Sequence, residues 1–444
     1  MTDDSTTLRA AYYTLGCKLN YAETSAIGRM LAERGVVRAR GGEAPDICVV
    51  NTCSVTETAD KKGRRLIRSL AARYPDATMV VTGCYAQLKP EEVAAVEGVD
   101  IVLGSDEKLR MADFIDAWRR DRIRRVEVTP ALDINTFRPS CERGDRTRYW
   151  LKVQDGCDYF CTYCTIPFAR GRSRSGRTAE LVEMARRVAA EGGKEIVLTG
   201  VNVGCFGLDT GESFLDLLKA LDGVEGIERY RISSIEPNLL TEEIVTWIAR
   251  ESRAFMPSFH VPLQSGSDAV LRLMNRRYDT ALFASRIQFI RSMIPDAFIA
   301  ADIIAGARGE TPGEWEKSLA FAEASGVDRL HVFPYSERPG TRALGIDHIV
   351  SQEEKHRRVA ALSLLSDRLM RRRLQEMAGE TRPVLWEHPA SPEDTVMHGH
   401  TDNYIRVSAP ADPRLYNMVT PTLLTGLDPE EEETMAGVPQ TDTI

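Results

Sequence analysis

The stretch YWLKVQDGCDYFCTYCTIP, residues 149–167, decides the fold of the central part of this chain. It begins as a strand signal and leads directly into Cys157, Cys161 and Cys164. Three thiolates in a C-x3-C-x2-C spacing can hold three irons of a [4Fe–4S] cluster and leave the fourth iron open to another ligand. The alternative is structural zinc, which needs four ligands, usually as paired CxxC or CxxC with His. No fourth Cys or His lies nearby, so the spacing favours the cluster.

Six strand signals, separated by helical patterns, begin in this stretch. They are WLKVQD, EIVLTG, YRISSI, FHVPLQ, FIAADIIAG and LHVFPY, at residues 150–155, 195–200, 230–235, 259–264, 298–306 and 330–335. Six β/α units over roughly 220 residues predict a partial (β/α)6 barrel with its chemistry at the C-terminal strand ends. A basic helix over about residues 352–377 follows. The remaining residues carry short strand signals with Gly, Pro and Asn turns, which predict a small β-barrel.

The first part of the chain also alternates strand and helix signals. Strand signals lie at AAYYTLGC, DICVVNTC and ATMVVTGCYAQ, residues 10–17, 46–53 and 77–87. Cys17, Cys53 and Cys84 each stand at or just past the end of a predicted strand. Loops beyond the C-terminal strand ends of an open α/β sheet build its site, so these three cysteines can converge. Cys48 lies inside its strand, which indicates a core residue.

The chain is therefore predicted to be of the α/β class with three domains. Their expected ranges are residues 1–135, 143–378 and 380–444, and the polar stretch at about 125–145 is the expected linker. No run reaches the ~18 apolar residues of a membrane span. The acidic N-terminus does not resemble a signal peptide, and nine cysteines argue against a disulfide framework. We expect a cytoplasmic protein.

The net charge of −8 is concentrated in the tail. Residues 382–444 hold 3 Lys or Arg and 11 Asp or Glu, so the rest of the chain is neutral overall. The acidity does not suit electrostatic RNA binding by the tail itself, unless a local face such as Tyr404 and Arg406 provides it.

The C-x3-C-x2-C motif resembles the signature of the radical S-adenosylmethionine (SAM) superfamily. TLGCKLN, NTCSVT and TGCYAQ further resemble the methylthiotransferases within it, and GHTDNYIRV in the tail resembles their TRAM domain, a small RNA-binding β-barrel. The resemblance implies two [4Fe–4S] clusters, one on Cys157, Cys161 and Cys164 that also binds SAM, and an auxiliary one. Cys17, Cys53 and Cys84 are the implied auxiliary ligands.

Four further segments resemble the family's SAM site. They are LTGVNVG, SSIEP, HVPLQSGS and DIIAGARGE, and they supply the candidate SAM-binding residues Gly200, Asn202, Ser234, Glu236, Gln264 and Gly306. Each is otherwise explained as a turn residue without a ligand. No catalytic side chain beyond the cluster ligands is expected, and Cys141 and Cys205 have no assigned role.

The GCK-x-N form of the first motif favours one of three family targets. That target is C2 of N6-threonylcarbamoyladenosine at position 37 of tRNA, next to the anticodon. Isopentenyladenosine in tRNA and a ribosomal protein are the alternatives, as is a non-catalytic two-cluster iron–sulfur or RNA-binding protein. The family mechanism implies that one SAM methylates a sulfur of the auxiliary cluster. A second SAM yields the radical that takes hydrogen from C2, a position that has no acidic proton for a base to remove.

The expected partners are tRNA, bound at its anticodon loop, and an electron donor such as flavodoxin or ferredoxin, with no membrane. The basic run after the cysteine motif could bind tRNA phosphates or could be only a solvated face. The candidate RNA-binding residues are Arg170, Arg172, Arg174, Arg177 and Arg308.

Overall fold

The amino-terminal unit is a sheet of six parallel strands. A computed structural model describes residues 7–40, 42–143, 147–389, 391 and 393–440. The sheet order is β2-β1-β3-β4-β5-β6, for β1 (Arg9–Thr14), β2 (Val37–Arg38), β3 (Ile47–Thr52), β4 (Thr78–Gly83), β5 (Ile101–Leu103) and β6 (Arg125–Glu127). Every residue of β3 and β4 is buried, which explains their continuous apolar runs. The helices are α1 (Lys18–Glu33), α2 (Glu57–Arg73), α3 (Cys84–Leu88), α4 (Pro90–Ala94) and α5 (Met111–Asp121).

The predicted linker at 125–145 is more structured than expected. Its first residues form β6, which pairs in parallel with β5 at the edge of the amino-terminal sheet. Near its end, β7 (Ser140–Glu142) pairs antiparallel with β8 (Tyr149–Lys152). Three-residue edge strands carry too little periodicity to be detected in a sequence. Residues 144–146 lie outside the described part of the chain.

The central unit is an open arc of six parallel strands. These strands are β8, β11 (Glu195–Thr199), β12 (Arg229–Ile232), β13 (Ser258–His260), β14 (Phe298–Ala305) and β15 (Arg329–Pro334). A parallel bridge between Tyr230 and Phe255 joins the sheet ending in β12 to the sheet beginning with β13. The predicted partial (β/α)6 barrel is confirmed. Its other elements are β9 (Gln154–Asp155), α6 (Ile166–Arg170), β10 (Arg174–Ser175), α7 (Thr178–Ala190), α8 (Phe214–Asp222), α9 (Glu242–Arg250), α10 (Asp268–Leu273), α11 (Thr280–Met293), α12 (Pro312–Ala324) and α13 (Gln352–Glu376).

The tail is a closed five-stranded barrel, as predicted. Its order is β16-β17-β18-β20-β19, for β16 (Thr381–Trp386), β17 (Val396–Thr401), β18 (Arg406–Pro410), β19 (Val419–Leu427) and β20 (Thr434–Pro439). Phe298 of β14 and Met370 of α13 belong to the same apolar core as the barrel's Trp386. The barrel is therefore packed onto the central unit. Within the described residues, no helix is long and apolar enough to cross a membrane.

The central arc also binds the barrel through two buried arginines. Arg229 donates to the carbonyl oxygens of Pro383 and His400, both at 2.8 Å. Arg231 donates to the carbonyl oxygens of Thr401 at 2.8 Å and Asp402 at 2.7 Å. Both arginines belong to β12, so the barrel lies against that strand. Buried charged donors that meet backbone acceptors in this way fix the position of one unit on the other.

Candidate active site

The central cysteine loop lies between β9 and α6, after the first strand of the arc. Cys157, Cys161 and Cys164 are all partly exposed. The backbone N–H of Tyr159 points at Sγ of Cys157 at 3.5 Å, and that of Ile166 points at Sγ of Cys164 at 3.4 Å. Donors aimed at sulfur stabilise a thiolate, so the loop suits metal-binding cysteines.

The three thiols of this loop lie close enough to influence one another. Burial, together with the charge of Cys161, raises the pKa of Cys157 to about 11 and that of Cys164 to about 12. Iron bound to these sulfurs supplies the positive charge that removes their protons. Within the described residues, no three His, Cys, Asp or Glu side chains are arranged to hold one metal ion. A [4Fe–4S] cluster distributes three thiolates over three irons, and the three cysteines of this loop are the ligands that such a cluster needs.

Ser234 and Glu236 follow β12, and Glu236 has a cationic partner that the sequence did not reveal. Arg276 forms a close ion pair with Glu236, and Arg276 Nη1 donates to Cys161 Sγ at 3.1 Å. Burial raises the pKa of Glu236, although Arg276 opposes this rise. Arg276 thus ties a candidate SAM-binding carboxylate to a candidate cluster ligand. No motif marked it, because it lies 40 residues from Glu236 and 115 from Cys161.

Gly200 and Asn202 lie in a turn after β11, in contact with Gln154. Oε1 of Gln154 accepts from the backbone N–H groups of Val201 at 3.0 Å and Asn202 at 2.9 Å. The side chain of Asn202 is buried, and neither atom of its amide has a partner within the described residues. The hydroxyl of Ser233 is likewise buried without a partner. Buried polar groups need partners, so these two side chains fit a polar cofactor such as SAM.

Gln264 and Gly306 stand at the ends of β13 and β14. Gln264 has a φ of +63°, and its N–H donates to the carbonyl oxygen of Asp302 at 2.8 Å. The N–H of Gly306 donates to Glu310 at 2.7 Å, and a β-carbon there would lie 2.4 Å from Cγ of Lys355. The backbone donor of Gly306 is therefore already used, and this glycine is required for packing against α13.

The amino-terminal cysteines lie on three neighbouring loops. Cys17 follows β1, Cys53 follows β3, and Cys84 begins α3 directly after β4. β1, β3 and β4 are adjacent parallel strands, so these loops share one edge of the sheet. Burial raises the pKa of Cys84 to about 11, and the charges of Cys53 and Cys17 raise it further while Arg170 opposes the rise. The fold thus brings the three predicted auxiliary ligands together.

Two glycines allow this close approach. Gly16 and Gly83 each precede a cysteine and have φ values of +106° and +94°. A β-carbon at Gly16 would lie 2.7 Å from Cβ of Cys53, and one at Gly83 would lie 2.3 Å from the carbonyl oxygen of Thr52. Only glycine combines this backbone with this contact. Both outer loops therefore pack directly against the middle one.

A buried charge cluster joins the amino-terminal and central units. Glu23 of α1 accepts from Lys108 at 2.9 Å, Lys152 at 3.1 Å and Arg170 at 3.0 Å. Arg170 also donates to Oδ1 of Asn20 at 2.6 Å. Buried charges are tolerated when each is paired and hydrogen-bonded. This cluster fixes the auxiliary cysteine loops against the central cysteine loop.

Two of the five candidate RNA-binding arginines are buried and a third, Arg308, is only partly exposed, which corrects that prediction. Arg170 is 2% and Arg174 7% exposed, and Arg174 donates to the carbonyl oxygens of residues 136, 170 and 172. Arg308 pairs with Glu337 and donates to the carbonyl oxygen of residue 344. These guanidinium groups are already used by protein acceptors. Arg172 and Arg177 are exposed, with 64% and 63% accessible side chains.

The three cysteines without an assigned role are all buried. Cys48 lies within β3, Cys141 within β7, and Cys205 in the turn after β11. Burial raises the pKa of Cys48 to about 11 and that of Cys205 to about 12. Uncharged buried thiols are unreactive and pack as small apolar side chains.

Comparison with known proteins agrees with this geometry. Residues 9–104 match "Uncharacterized protein family UPF0004", and residues 151–322 match the Radical SAM superfamily. A Bacillus subtilis protein, threonylcarbamoyladenosine tRNA methylthiotransferase MtaB, is 39% identical, over 89% of each chain. A Symbiobacterium thermophilum tRNA-2-methylthio-N(6)-dimethylallyladenosine synthase is 32% identical, over 93% of this chain and 91% of that one. The Kitasatospora setae radical SAM methyltransferase TsrM shares the fold, with a TM-score of 0.56 at 15% identity over 76% of this chain and 77% of that one.

The chain belongs to the radical SAM methylthiotransferases, as its motifs predicted. It is an enzyme, a transferase of the methylthio group, so the alternative of a non-catalytic two-cluster protein is wrong. SAM and [4Fe–4S] clusters are its cofactors. The family's three-part architecture is the one seen here, with its small closed barrel in the TRAM position.

Proposed function

We propose that this enzyme adds a methylthio group to C2 of N6-threonylcarbamoyladenosine at position 37 of tRNA. In this proposal Cys157, Cys161 and Cys164 hold the cluster that binds SAM. Cys17, Cys53 and Cys84 hold the auxiliary cluster. The B. subtilis relative named for this nucleoside, 39% identical over most of both chains, supports the choice of substrate.

The position of α6 between the two cysteine sites supports the two-cluster assignment. Cys164 lies just before α6, and α6 ends at Arg170, whose charge lowers the pKa of Cys84 against the effect of burial. The five residues of α6 span roughly 7.5 Å, so the two cysteine sites lie at opposite ends of one short helix. A radical formed at one site can then reach a substrate that also faces the other.

The chain's own residues bind and orient the cofactors in this proposal. SAM and the two clusters, when bound, supply the radical and the methylthio group. Asn202 and Ser233 would offer unpartnered polar groups to SAM, and the Glu236 carboxylate would accept from its amino group. Arg276 opposes the rise that burial causes in the pKa of Glu236, and it orients this carboxylate beside Cys161. The partly buried loop limits access of water to the radical site.

An exposed patch beside the central cysteine loop is a suitable place for the anticodon loop. The guanidinium of Arg172 lies 5.9 Å from the ring of Phe160, which packs edge-on against Phe168 at 6.0 Å. Phe168 is 44% exposed. Single-stranded RNA is bound by cations for its phosphates and aromatic rings for its bases. The patch would allow the target base to be turned out of the loop toward the cysteines.

The reaction also requires an electron donor, and the enzyme must be in the same cellular compartment as its substrate. Cleavage of SAM requires a one-electron donor, and a flavodoxin or ferredoxin fits this requirement. A cytoplasmic location fits a tRNA substrate and agrees with the sequence-based expectation. Anaerobic turnover with candidate donors and measurement of deoxyadenosine would identify the donor.

Mass spectrometry of nucleosides tests the proposed reaction and substrate together. The enzyme with reconstituted clusters is incubated anaerobically with SAM, reductant and tRNA that carries threonylcarbamoyladenosine. A methylthio adduct of that nucleoside is expected. Deoxyadenosine without the adduct would overturn the substrate assignment while leaving the radical chemistry intact. Isopentenyladenosine tRNA, the substrate type in the name of the S. thermophilum relative, and the ribosomal protein are tested in parallel.

A further inference from the structure

A cavity of about 520 Å³ lies where the three parts of the molecule meet. Its wall contains alternate residues of the arc strands, such as His260, Asp302 and His331, which places it inside the arc. Lys18 of α1 and Tyr404 of the tail barrel close the other sides. A volume of this size suits a nucleobase with an amino-acid substituent.

The cavity lies between the two candidate cofactor sites. Lys18 directly follows Cys17, a candidate auxiliary ligand, while Ser233 directly precedes Ser234 in the candidate SAM site. Ser233 and Lys18 both line the cavity. A base held there would face both sites, as the proposed transfer requires.

The cations around the cavity differ in whether a carboxylate neutralises them. Arg231 is paired with Glu195 at 2.9 Å and uses its other donors on the tail barrel. Arg329 pairs with Glu433 at 2.6 Å. Within the described residues, Lys18 forms neither an ion pair nor a hydrogen bond, and its ammonium lies 6.0 Å from the ring centroid of Tyr404. Lys18 is therefore a cation available to a ligand.

Three cations lie around Tyr404, of which Arg148 is paired with Glu387 at 3.0 Å and Arg231 with Glu195. Burial alone would raise the pKa of Tyr404, but Arg148, Lys18 and Arg231 together lower it below its ordinary value. Arg148 donates to the Tyr404 hydroxyl at 2.9 Å, and Arg231 lies 4.7 Å from the ring centroid. Within the described part of the chain, the Glu432 carboxylate on the wall has no ion-pair partner, and it is exposed at the rim. An anion is thus favoured at the Lys18 end.

The opposite wall offers hydrogen-bonding groups, among them His331 and the hydrogen-bonded pair of His260 and Asp302. Burial, and then the neighbouring His260, lower the pKa of His331 to about 4, so that its ring is uncharged near neutral pH. His260 is hydrogen-bonded to Asp302 at 2.8 Å. Donors and acceptors of this kind suit the edge of a base or a hydroxyl group.

We propose that Lys18 binds the carboxylate of the N6 substituent and thereby selects an adenosine that carries an amino acid. This inference rests on the proposed function and adds the residue that reads the substituent. Lys18 is exposed in the structure. An uncharged hydrocarbon substituent in the same place would cover its ammonium without giving it a partner. A site disfavours a ligand that covers a polar group without pairing with it.

The test compares three anticodon stem-loop RNAs on the enzyme with reconstituted clusters. One carries threonylcarbamoyladenosine, one carries its methylamide in place of the carboxylate, and one carries isopentenyladenosine. The wild type should bind the carboxylate RNA about tenfold or more tightly than the methylamide RNA, since a charged hydrogen bond is lost. Equal affinities of the wild type for these two RNAs would overturn the proposal, and no variant is needed for this test.

Variants of Lys18 then test whether this residue causes the preference for the carboxylate RNA. Lys18→Met should abolish the preference, Lys18→Arg should retain it, and the control Lys62→Met should not change it. Lys62 is an exposed lysine of α2 and does not line the cavity. A Lys18→Met enzyme that kept the preference would contradict the proposal. Iron content verifies cluster loading, and product analysis of the wild type tests the proposed function separately from these affinities.

Discussion

Arg276 is the residue that connects the central cysteine loop to the candidate SAM site. Its side chain is 4% exposed and touches both Cys161 and Glu236. Arg170 has the corresponding position at the auxiliary cysteines, where it also contacts Glu23. Each cysteine site thus has one buried guanidinium beside it. Such a cation offsets the negative charge of a thiolate-bound cluster.

Replacing Arg276 should impair SAM cleavage while the whole chain still folds. In Arg276→Gln, Glu236 loses its counter-charge in a buried place, so its carboxylate becomes protonated and no longer accepts from an ammonium group. We expect deoxyadenosine formation to fall by about 100-fold, on the order of a lost buried charge pair. Arg272→Gln, an exposed change on the adjoining helix, is the control. Unchanged cleavage in Arg276→Gln would refute the role given to this arginine.

The cysteine motif and the strand pattern were sufficient to locate most of the candidate site. Cys17, Cys53 and Cys84 were predicted to meet because strand ends share one edge, and the fold places them so. The burial of Arg170 could not be predicted. Its partner Glu23 lies 147 residues away, and a charge run contains no information about such distant partners.

At the scale of elements, apolar runs identified the long strands, while short elements were missed. β3 and β14 are buried nearly throughout and gave strong signals. β6 and β7 have three residues each, so their sequence resembles a linker. The segment from α6 to α7 was predicted as one basic run. Arg174 lies in β10, where both residues are buried, while Arg172 and Arg177 lie outside this strand and are exposed.

The exposed members of this segment should bind tRNA electrostatically. Arg172→Gln combined with Arg177→Gln removes two accessible charges, and we expect weaker tRNA binding with a smaller dependence on salt, by up to about two in the log–log slope. Binding is measured by titration at several salt concentrations. Arg119→Gln with Arg120→Gln, two exposed charges on α5, serves as the matched control. If the slope is the same as in the wild type, the segment is only a solvated face.

At the scale of the whole molecule, ion pairs explain how the acidic tail can pack against the central arc. Glu433 pairs with Arg329 of the central arc, and Glu431 pairs with Arg406 and His398 within the barrel. Part of the acidic run is thus neutralised by neighbouring cations. The tail sequence alone showed only its net charge, because these partners belong to other strands.

The buried charge cluster around Glu23 should make the packing of the amino-terminal unit against the central unit sensitive to pH. Burial would raise the pKa of Glu23, but Arg170, Lys108 and Lys152 hold it well below 4.5. A carboxylate with a lowered pKa stabilises the folded chain above about pH 4.5, and this stabilisation is lost as the pH falls below that value. Glu23→Gln should therefore cost about 3–5 kcal/mol at pH 7 and less at pH 4.

Thermal unfolding at both pH values measures this effect. Glu33→Gln, on an exposed part of the same helix, should show little loss at either pH. Equal losses for Glu23→Gln at pH 7 and pH 4 would argue against an ionised Glu23 as the centre of the interface.

The most direct test of the two-cluster assignment measures two products in one reaction. Deoxyadenosine and the methylthio nucleoside are quantified together for the wild type, Cys157→Ala, Cys53→Ala and the core control Cys48→Ala. Cys157→Ala should yield neither product, and Cys48→Ala both. Cys53→Ala should still release deoxyadenosine but form no methylthio nucleoside. Methylthio product from Cys53→Ala would contradict the division of the chemistry between the two cysteine sites.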